Sequence, residues 1–290
     1  MRIPDVYPLE GRRLLAILYA PAFWLGFIGA ALVLQPVVGP IVLPALLVTA
    51  IGVSSLAERL LPYESVWNRS HGDTLRDIAH ALVNEGSKVV AVLAIPVAAG
   101  LLTWRSLWPD SLPLALQLLL AILMADVGIT LVHFASHRVR WLWRFHAVHH
   151  SVERLYGFNG LLKHPLHQAL ETLGGTLPLL LIGMPMDIGW LLGFAVSIQL
   201  LLQHSNVDMA IGPLARMWAV APVHRLHHVG SATAGDVNFG LFTCLVDHLL
   251  GTARPDGPRV GAGMIGIEDR PDFPRGYLKQ LLEPFHADDR

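Results

Sequence analysis

The sequence is poor in cysteine and in charge, and both shortages narrow its class. Cys244 is the one cysteine in 290 residues, which excludes a disulfide framework and a metal site built from cysteines. Charged residues make up 15% of the chain, where soluble domains have about 25%. The formal net charge of −1 gives no reason to expect a nucleic acid partner. The sequence also lacks a GxGxxG fingerprint, a P-loop and the cysteine spacing of an iron–sulfur cluster.

Apolar residues make up 53% of the chain, the mean hydropathy is +0.50, and the apolar residues form six long runs. An α-helix needs about 20 apolar residues to cross roughly 30 Å of hydrocarbon. Arg12 and Arg13 precede the first run and no cleavage site follows it, so we expect a retained anchor. We predict a single all-α domain over residues 1–290, an integral membrane helical bundle of about four full spans plus a hairpin of two short spans. The predicted spans are residues 14–36, 40–57, 87–104, 113–132, 168–184 and 187–203.

The positions of the basic residues predict the orientation of this bundle. With the N-terminus inside, only Arg105 among the 21 lysines and arginines falls on the outer loops. We therefore expect a multi-pass protein of the bacterial inner membrane with its N-terminus in the cytoplasm. A histidine-rich helical cap, made of residues 133–167 and 204–250, would lie on the same side, followed by a soluble tail over residues 251–290.

Eight of the 15 histidines fall in three short motifs, HxxxH, HxxHH and HxxHH. Helical residues three and four apart are neighbours, so each motif can direct two or three imidazoles to one point. Neutral imidazole suits iron, copper, nickel and zinc alike. Eight imidazoles are too many for one ion and suit two ions close together, each with an open position. The eight are His133, His137, His146, His149, His150, His224, His227 and His228.

Two interpretations of these motifs stay open on the residues alone. One is a redox enzyme with two metal ions, and the other is a non-redox membrane protein, either a zinc-dependent hydrolase or a metal carrier. The sequence has no HExxH motif, and its spans lack the paired acidic or histidine residues of an ion path. Asp126 lies seven residues before His133 on the same helical face. We expect it to hydrogen-bond a metal-binding histidine, with a purely structural bond as the alternative.

The order of the motifs resembles the fatty acid hydroxylase and sterol desaturase superfamily, whose members are integral membrane enzymes with a histidine-ligated diiron centre. The resemblance rests on "HFASHR", "LWRFHAVHHS", "KHPLH", "VHRLHHV", "GDVNFG" and "DHLLGT", and covers roughly residues 55–285. The spacing is similar to that of the branch containing alkylglycerol monooxygenase. Members of the superfamily insert oxygen into lipid C–H bonds, or remove hydrogen from them, with electrons from a separate redox chain.

The resemblance implies roles for particular residues. The eight motif histidines would bind two iron ions, and the further candidate ligands are His204, His164 and His167. Other residues would lie beside the metals and orient their ligands; these are Asp126, Glu171, Asn238, Asp247 and His248.

The function implied is that of a membrane-bound diiron oxygenase, a hydroxylase or monooxygenase that acts on C–H bonds of a lipid or sterol-like substrate with O2. A lipid desaturase on the same site is the alternative, and zinc could fill the site in overexpressed protein. The substrate would come from the bilayer, and electrons from a separate protein of the ferredoxin, cytochrome b5 or reductase type. That protein would dock on a basic face formed by Arg138, Arg140, Arg144 and Arg154, unless this face meets anionic lipid headgroups.

Overall fold

The computed structural model describes residues 9–103, 106–231 and 233–286, so Arg105, the outer arginine of the topology prediction, lies outside the described residues. The described residues form eleven α-helices and no strand, and the predicted all-α fold is confirmed. The helices are α1 (Leu9–Val38), α2 (Val42–Leu60), α3 (Thr74–Leu93), α4 (Ile95–Leu102), α5 (Leu114–Arg138), α6 (Arg140–His150), α7 (Pro165–Leu181), α8 (Met186–His204), α9 (Ala221–His227), α10 (Leu245–Leu250) and α11 (Tyr277–Leu282).

Four helices are long and apolar enough to cross a membrane, as predicted, but they are not the four expected. They are α1, α2, α5 and α8, whereas the predicted third span is broken into α3 and α4, which meet at an angle of 48°. Pro96 stands in the first turn of α4. It has no N–H and its ring clashes with the preceding turn, so α3 does not continue straight. Helix α7, with 17 residues, is the short member of the C-terminal hairpin.

The ends of six helices meet at one end of the bundle. The amide of Ala210, just after α8, donates to the carbonyl of Ala16 in α1 (3.0 Å). Glu58, near the end of α2, accepts from the amides of Gly157 (2.6 Å) and Asn206 (3.0 Å). The starts of α3 and α7 lie at the same level, because His80 of α3 contacts the carbonyl of Lys163 (3.0 Å) just before α7 begins. The end of α5 lies there too, since Ser136 contacts His167 in the first turn of α7 (2.9 Å). The first turns of α1 and the histidine motifs therefore share one end of the molecule.

Helices α5 and α7 approach each other through glycines. A Cβ atom added to Gly128 would lie 2.0 Å from the carbonyl oxygen of Gly174, and one added to Gly175 would lie 2.8 Å from a side-chain atom of Ile129. Small residues that let helix backbones approach closely are typical of membrane helix interfaces. This contact sets the distance between the end of α5 and the start of α7, where the histidines lie.

A second apolar core lies beneath the histidine motifs and is made by the segments between the spans. Trp67, Val148, Leu162 and Val260 are fully or almost fully buried in it. The C-terminal segment packs against this region: Gln280 accepts a contact from the ring of His80 (2.9 Å) and donates to Ser151 (3.0 Å). This second core therefore holds the ends of the long helices together.

Candidate metal centre

The structure brings nine histidines together in two groups, and in each group one ring nitrogen per residue lies within 4.8 Å of all the others. We call them the five-histidine cluster and the four-histidine cluster. The five-histidine cluster contains His133, His137, His146, His150 and His227. The four-histidine cluster contains His149, His204, His224 and His228. All eight motif histidines and His204 are therefore collected at one place, where the ends of α5, α6, α8 and α9 converge.

Each HxxHH motif is divided between the two clusters. In α6 the rings of His146 and His150 face one cluster and that of His149 the other, because consecutive residues such as His149 and His150 point about 100° apart around a helix. The rings of His150 and His228, one from each cluster, stack with centroids 4.6 Å apart and planes 24° apart. The two clusters therefore adjoin.

The hydrogen bonds of the five-histidine cluster leave lone pairs facing each other. The Nδ1 atoms of His133 and His227 lie 2.7 and 2.8 Å from the carbonyl oxygens of Phe239 and Val237, so both must donate. In a neutral ring whose Nδ1 carries the proton, Nε2 has only a lone pair. The two Nε2 atoms nevertheless lie 2.9 Å apart. Two lone pairs repel at that distance unless a cation lies between them.

The four-histidine cluster contains the same conflict. The Nδ1 atoms of His149 and His204 donate to the carbonyl oxygens of Leu162 (2.7 Å) and Leu200 (3.2 Å). Their Nε2 atoms are then both acceptors, and they lie 3.2 Å apart. The Nε2 of His228 lies 3.1 Å from that of His204. Both clusters thus fit a cation bound by inward-facing Nε2 atoms, with the backbone carbonyls fixing the tautomer.

Protonation of one ring in each facing pair would relieve this repulsion, but burial disfavours the charged form of these histidines. Desolvation lowers the pKa of His227 to about 4, although its backbone hydrogen bonds act in the opposite direction. Burial first, and then the neighbouring imidazoles, hold the pKa of His150 and His228 well below the ordinary value. The rings are therefore neutral at pH 7, the form in which histidine binds metals.

Two carboxylates hold the loop that orients His133. Asp126 accepts from the amides of Phe242 (2.8 Å) and Thr243 (3.0 Å) and from the hydroxyl of Thr243 (2.5 Å). Asp247 accepts from the amides of Phe239 and Gly240, both at 2.8 Å. Asp126 was expected to bond a histidine directly. Instead, no hydrogen bond joins it to a histidine among the described residues, and it reaches His133 through the loop that carries the Phe239 carbonyl.

Asn238 fixes the start of the same loop. Its φ of 56° is in the left-handed region, which asparagine tolerates better than most residues. The side-chain amide donates to the carbonyls of Val223 (3.0 Å) and Arg254 (2.8 Å), and its oxygen accepts from the amide of Arg254 (2.7 Å). Asn238, which was expected to lie beside the metals, therefore connects α9 to this loop.

His164 and His167, the two further candidate ligands, are placed outside both clusters. His164 caps α7: its Nδ1 accepts from the amide of Leu166 (3.1 Å), and its Nε2 lies 3.1 Å from the carbonyl of Leu281. The ring of His167 lies 4.5 Å from that of His146, with the two planes 38° apart, and its Nε2 contacts Ser136 (2.9 Å). Pro165 favours an extended backbone at His164, which therefore caps the helix and packs its ring on Phe145 (5.0 Å), so only His167 lies behind the five-histidine cluster.

Three other residues also differ from the sequence prediction. Glu171 forms a buried ion pair with Lys163. Its other carboxylate oxygen lies 3.8 Å from the Nδ1 of His167. His248 is exposed and contacts the carbonyl of Arg216 (2.7 Å), so it does not take the predicted position beside the metals. Arg154 is buried in an ion pair with Asp73 (2.7 Å), so it does not belong to the exposed basic face. The burial of Lys163 was not foreseen, since nothing in the sequence placed it beside Glu171.

Comparison with known proteins identifies the family. The fatty acid hydroxylase profile matches residues 118–252, which contain the three histidine motifs. Ornithine lipid hydroxylase OlsE of Rhizobium tropici is 35% identical over 246 residues, which cover 82% of this chain and 73% of that protein. The chain belongs to the fatty acid hydroxylase family. The resemblance seen in the motifs is thereby confirmed.

Two further relatives match a shorter part of the chain. Alkylglycerol monooxygenase of Danio rerio is 31% identical over 150 residues, half of this chain and 32% of that protein. The Homo sapiens alkylglycerol monooxygenase is 27% identical over 144 residues, again half of this chain and 32% of that protein. No solved structure matches the chain. The relatives support an oxidoreductase that acts on lipids, embedded in a membrane by its apolar helices.

Proposed function

We propose that this family member is a diiron hydroxylase that uses O2 and two external electrons to convert a lipid C–H bond into a C–OH group. One oxygen atom enters the lipid. The other combines with two protons and the two electrons and leaves as water. The observation that carries the proposal is the pair of adjoining histidine clusters, in which neutral rings turn their lone pairs toward each other. Hydroxylase and monooxygenase relatives favour hydroxylation over desaturation.

The residues proposed to hold iron are the five and the four histidines of the two clusters. Bound iron would supply the activation of O2 that the side chains of this site cannot provide. The protein's own part is positional: the carbonyls of Phe239, Val237 and Leu162 hold the rings with Nε2 inward. Burial keeps the rings neutral and keeps bulk water away from the reacting carbon. A catalytic zinc ion takes three protein ligands and keeps its fourth position for water, so nine converging histidines exceed what the zinc-dependent hydrolase alternative needs.

We propose that electrons arrive at the exposed edge of the five-histidine cluster. His137 keeps about 10% of its side-chain surface accessible, whereas the other cluster residues are buried. Trp143 is partly buried, and its ring lies 5.0 Å from that of His137 and 5.4 Å from that of His150. Arg138, which pairs with Asp236 and is 43% exposed, and the exposed Arg140 lie beside it. A basic rim around the shortest path to the cluster suits an acidic electron-donor protein on the cytoplasmic side.

An oxygen-isotope experiment tests the function. The full chain, loaded with ferrous iron in a bacterial lipid extract, receives 18O2 and a chemical reductant, and lipid products are analysed by mass spectrometry. We expect one 18O atom in a hydroxylated lipid, and loss of that product in His204→Ala. His286→Ala, at an exposed histidine that belongs to neither cluster, serves as the matched control and should retain activity. Absence of any 18O-labelled lipid from iron-loaded protein would contradict the proposal.

A further inference from the structure

Glu58 is a buried carboxylate outside both histidine clusters, in the last turn of α2. Only 4% of its surface is exposed. One of its carboxylate oxygens accepts from two backbone amides, those of Gly157 (2.6 Å) and Asn206 (3.0 Å). These amides belong to segments that are distant in the sequence, one between α6 and α7 and one just after α8. Because burying a carboxylate is costly unless it is well hydrogen-bonded, Glu58 is expected to hold both segments in place.

The first of these segments contacts two histidines of the four-histidine cluster. It comprises residues 157–162, and we call it the 157–162 segment. The carbonyl of Leu162 accepts from the Nδ1 of His149 (2.7 Å). The backbone of Gly160 lies against the ring of His204, since a Cβ atom added there would be 2.7 Å from the Nδ1 of that ring. The position of the 157–162 segment therefore limits where both rings can lie.

The second segment begins where α8 ends. His204 is the last residue of α8, and Asn206 follows two residues later. The side chain of Asn206 donates to the carbonyl of Glu64 (2.9 Å) and to the side-chain oxygen of Asn68 (2.8 Å), and it accepts from the amide of Glu64 (3.0 Å). Its backbone amide is held by Glu58. The chain that leaves His204 is thus fixed to the end of α2 and to the residues that follow it.

A glycine lets the 157–162 segment approach Glu58. A Cβ atom added to Gly157 would lie 2.6 Å from the hydroxyl oxygen of Ser54 in α2 and 2.8 Å from the carbonyl oxygen of Leu201 in α8. The segment therefore lies directly between these two helices. This close approach allows one carboxylate of α2 to bind the segment and the end of α8 at the same time.

The five-histidine cluster depends on other carboxylates. Asp126 and Asp247 hold the loop of residues 237–243, whose Phe239 carbonyl accepts from His133. Neither of the amides bound by Glu58 belongs to this loop. Each cluster therefore has its own buried carboxylates, which fix the backbone around its rings.

We propose that Glu58 is a positioning residue of the four-histidine cluster. By fixing the 157–162 segment and the chain after His204, it sets the affinity of this cluster for its ion and leaves that of the five-histidine cluster unchanged. The inference rests on the proposed function in one respect, that each cluster holds an ion. The far end of the 157–162 segment is held independently of Glu58, since Asn84 donates to the carbonyl of Leu161 (2.9 Å). Replacement of Glu58 is therefore expected to loosen the cluster without unfolding the protein.

Titration of Co²⁺ into the metal-free full chain tests this selectivity without iron or oxygen, because the visible absorption of bound Co²⁺ reports its ligands. Two backgrounds each leave one cluster complete. These are His224→Ala, which keeps the five-histidine cluster, and His133→Ala/His227→Ala, which keeps the four-histidine cluster. Glu58→Met has a side chain of similar length with no acceptor for the two amides. It should weaken Co²⁺ binding about 10- to 100-fold in the second background, change the Co²⁺ absorption there, and have neither effect in the first.

Two control variants separate positioning from a general effect on the fold. Glu58→Gln keeps a side-chain oxygen that can accept from both amides, so it should retain most of the affinity that Glu58→Met loses. Glu268→Gln makes the same change at an exposed residue and should alter neither background. If Glu58→Met does not fold, Glu58→Asp takes its place; its carboxylate is one methylene too short to reach both amides, and the same selective loss is expected, to a smaller extent.

The outcomes distinguish this inference from the proposed function. Equal weakening of Co²⁺ binding in both backgrounds would show that Glu58 serves the fold as a whole, and unchanged binding by the four-histidine cluster would show that Glu58 does not position it. Either result would overturn the inference and leave the proposed function intact. Backgrounds that bind no Co²⁺ with Glu58 in place would contradict the proposed function and this inference together.

Discussion

Replacement of Asp126 by asparagine is the sharpest test of how the site is built. The carboxylate accepts three hydrogen bonds from Phe242 and Thr243, whereas an asparagine side chain would offer one oxygen and an NH2 group in the same space. At least one charge-assisted hydrogen bond, worth about 1.5–3 kcal/mol, is lost, and a buried amide is left facing another donor. The loop that carries the Phe239 carbonyl would then no longer fix the ring of His133. Residues that orient metal ligands typically contribute about 10- to 100-fold in metal affinity.

Competition with a chelator of known affinity measures this effect on the purified full chain. Asp126→Asn should bind iron about 10- to 100-fold more weakly than the wild type, with the protein still folded and inserted in the membrane. Asp187→Asn makes the same chemical change in an exposed residue at the opposite end of the bundle and should not alter the affinity. Unchanged affinity in Asp126→Asn would refute the role assigned to the loop.

Four further substitutions test separate parts of the structure. His149→Ala should abolish lipid hydroxylation in the isotope assay without preventing membrane insertion. His164→Ala should keep its metal; loss of metal from this variant would show that His164 is a ligand. Gly128→Leu should prevent α5 and α7 from packing and yield protein that aggregates on detergent extraction; a monodisperse, iron-loaded variant would contradict the close approach of these helices. Burial alone would raise the pKa of Asp73, but Arg154 outweighs it and holds the pKa at about 2. The pair therefore stabilises the fold by about 2 kcal/mol above pH ~4 and loses that contribution as the pH falls toward 2. Asp73→Asn should lower the melting temperature at pH 7 but not at pH 2, and equal melting temperatures at pH 7 would contradict this.

Local sequence patterns predicted the parts of this protein that depend on periodicity. Apolar runs of about 20 residues must form helices in a membrane, and α1, α2, α5 and α8 follow them closely. Motif spacing likewise predicted the convergence of histidines from α5, α6 and α9, since three- and four-residue steps put rings on one helical face. His204, a single histidine without a motif, joined the site because it ends a span.

The remaining features depend on contacts between distant segments. The division of each HxxHH motif between two clusters is set by how α6 and α9 pack against α5 and α8. Asp126 binds a loop more than 100 residues away, and the ion pair of Lys163 with Glu171 requires a turn before α7. Prolines explain two differences between the predicted and the observed structure. Pro96 breaks the predicted third span at α4, and Pro165 makes the preceding His164 a helix cap. The effect of each proline on its own helix follows from local chemistry, but its effect on the site depends on how the whole bundle packs.

The metal content of the intact protein tests the central claim most directly. Anaerobic titration of ferrous iron into the metal-free full chain, followed by removal of unbound iron and elemental analysis, gives the number of ions held. Two adjoining clusters predict about two irons per chain in the wild type. The double variant His133→Ala/His227→Ala, which leaves three histidines in the five-histidine cluster, and His224→Ala, which leaves three in the four-histidine cluster, should each hold about one. A wild-type chain that saturates with a single ion, or variants that both retain the wild-type ratio, would contradict the account.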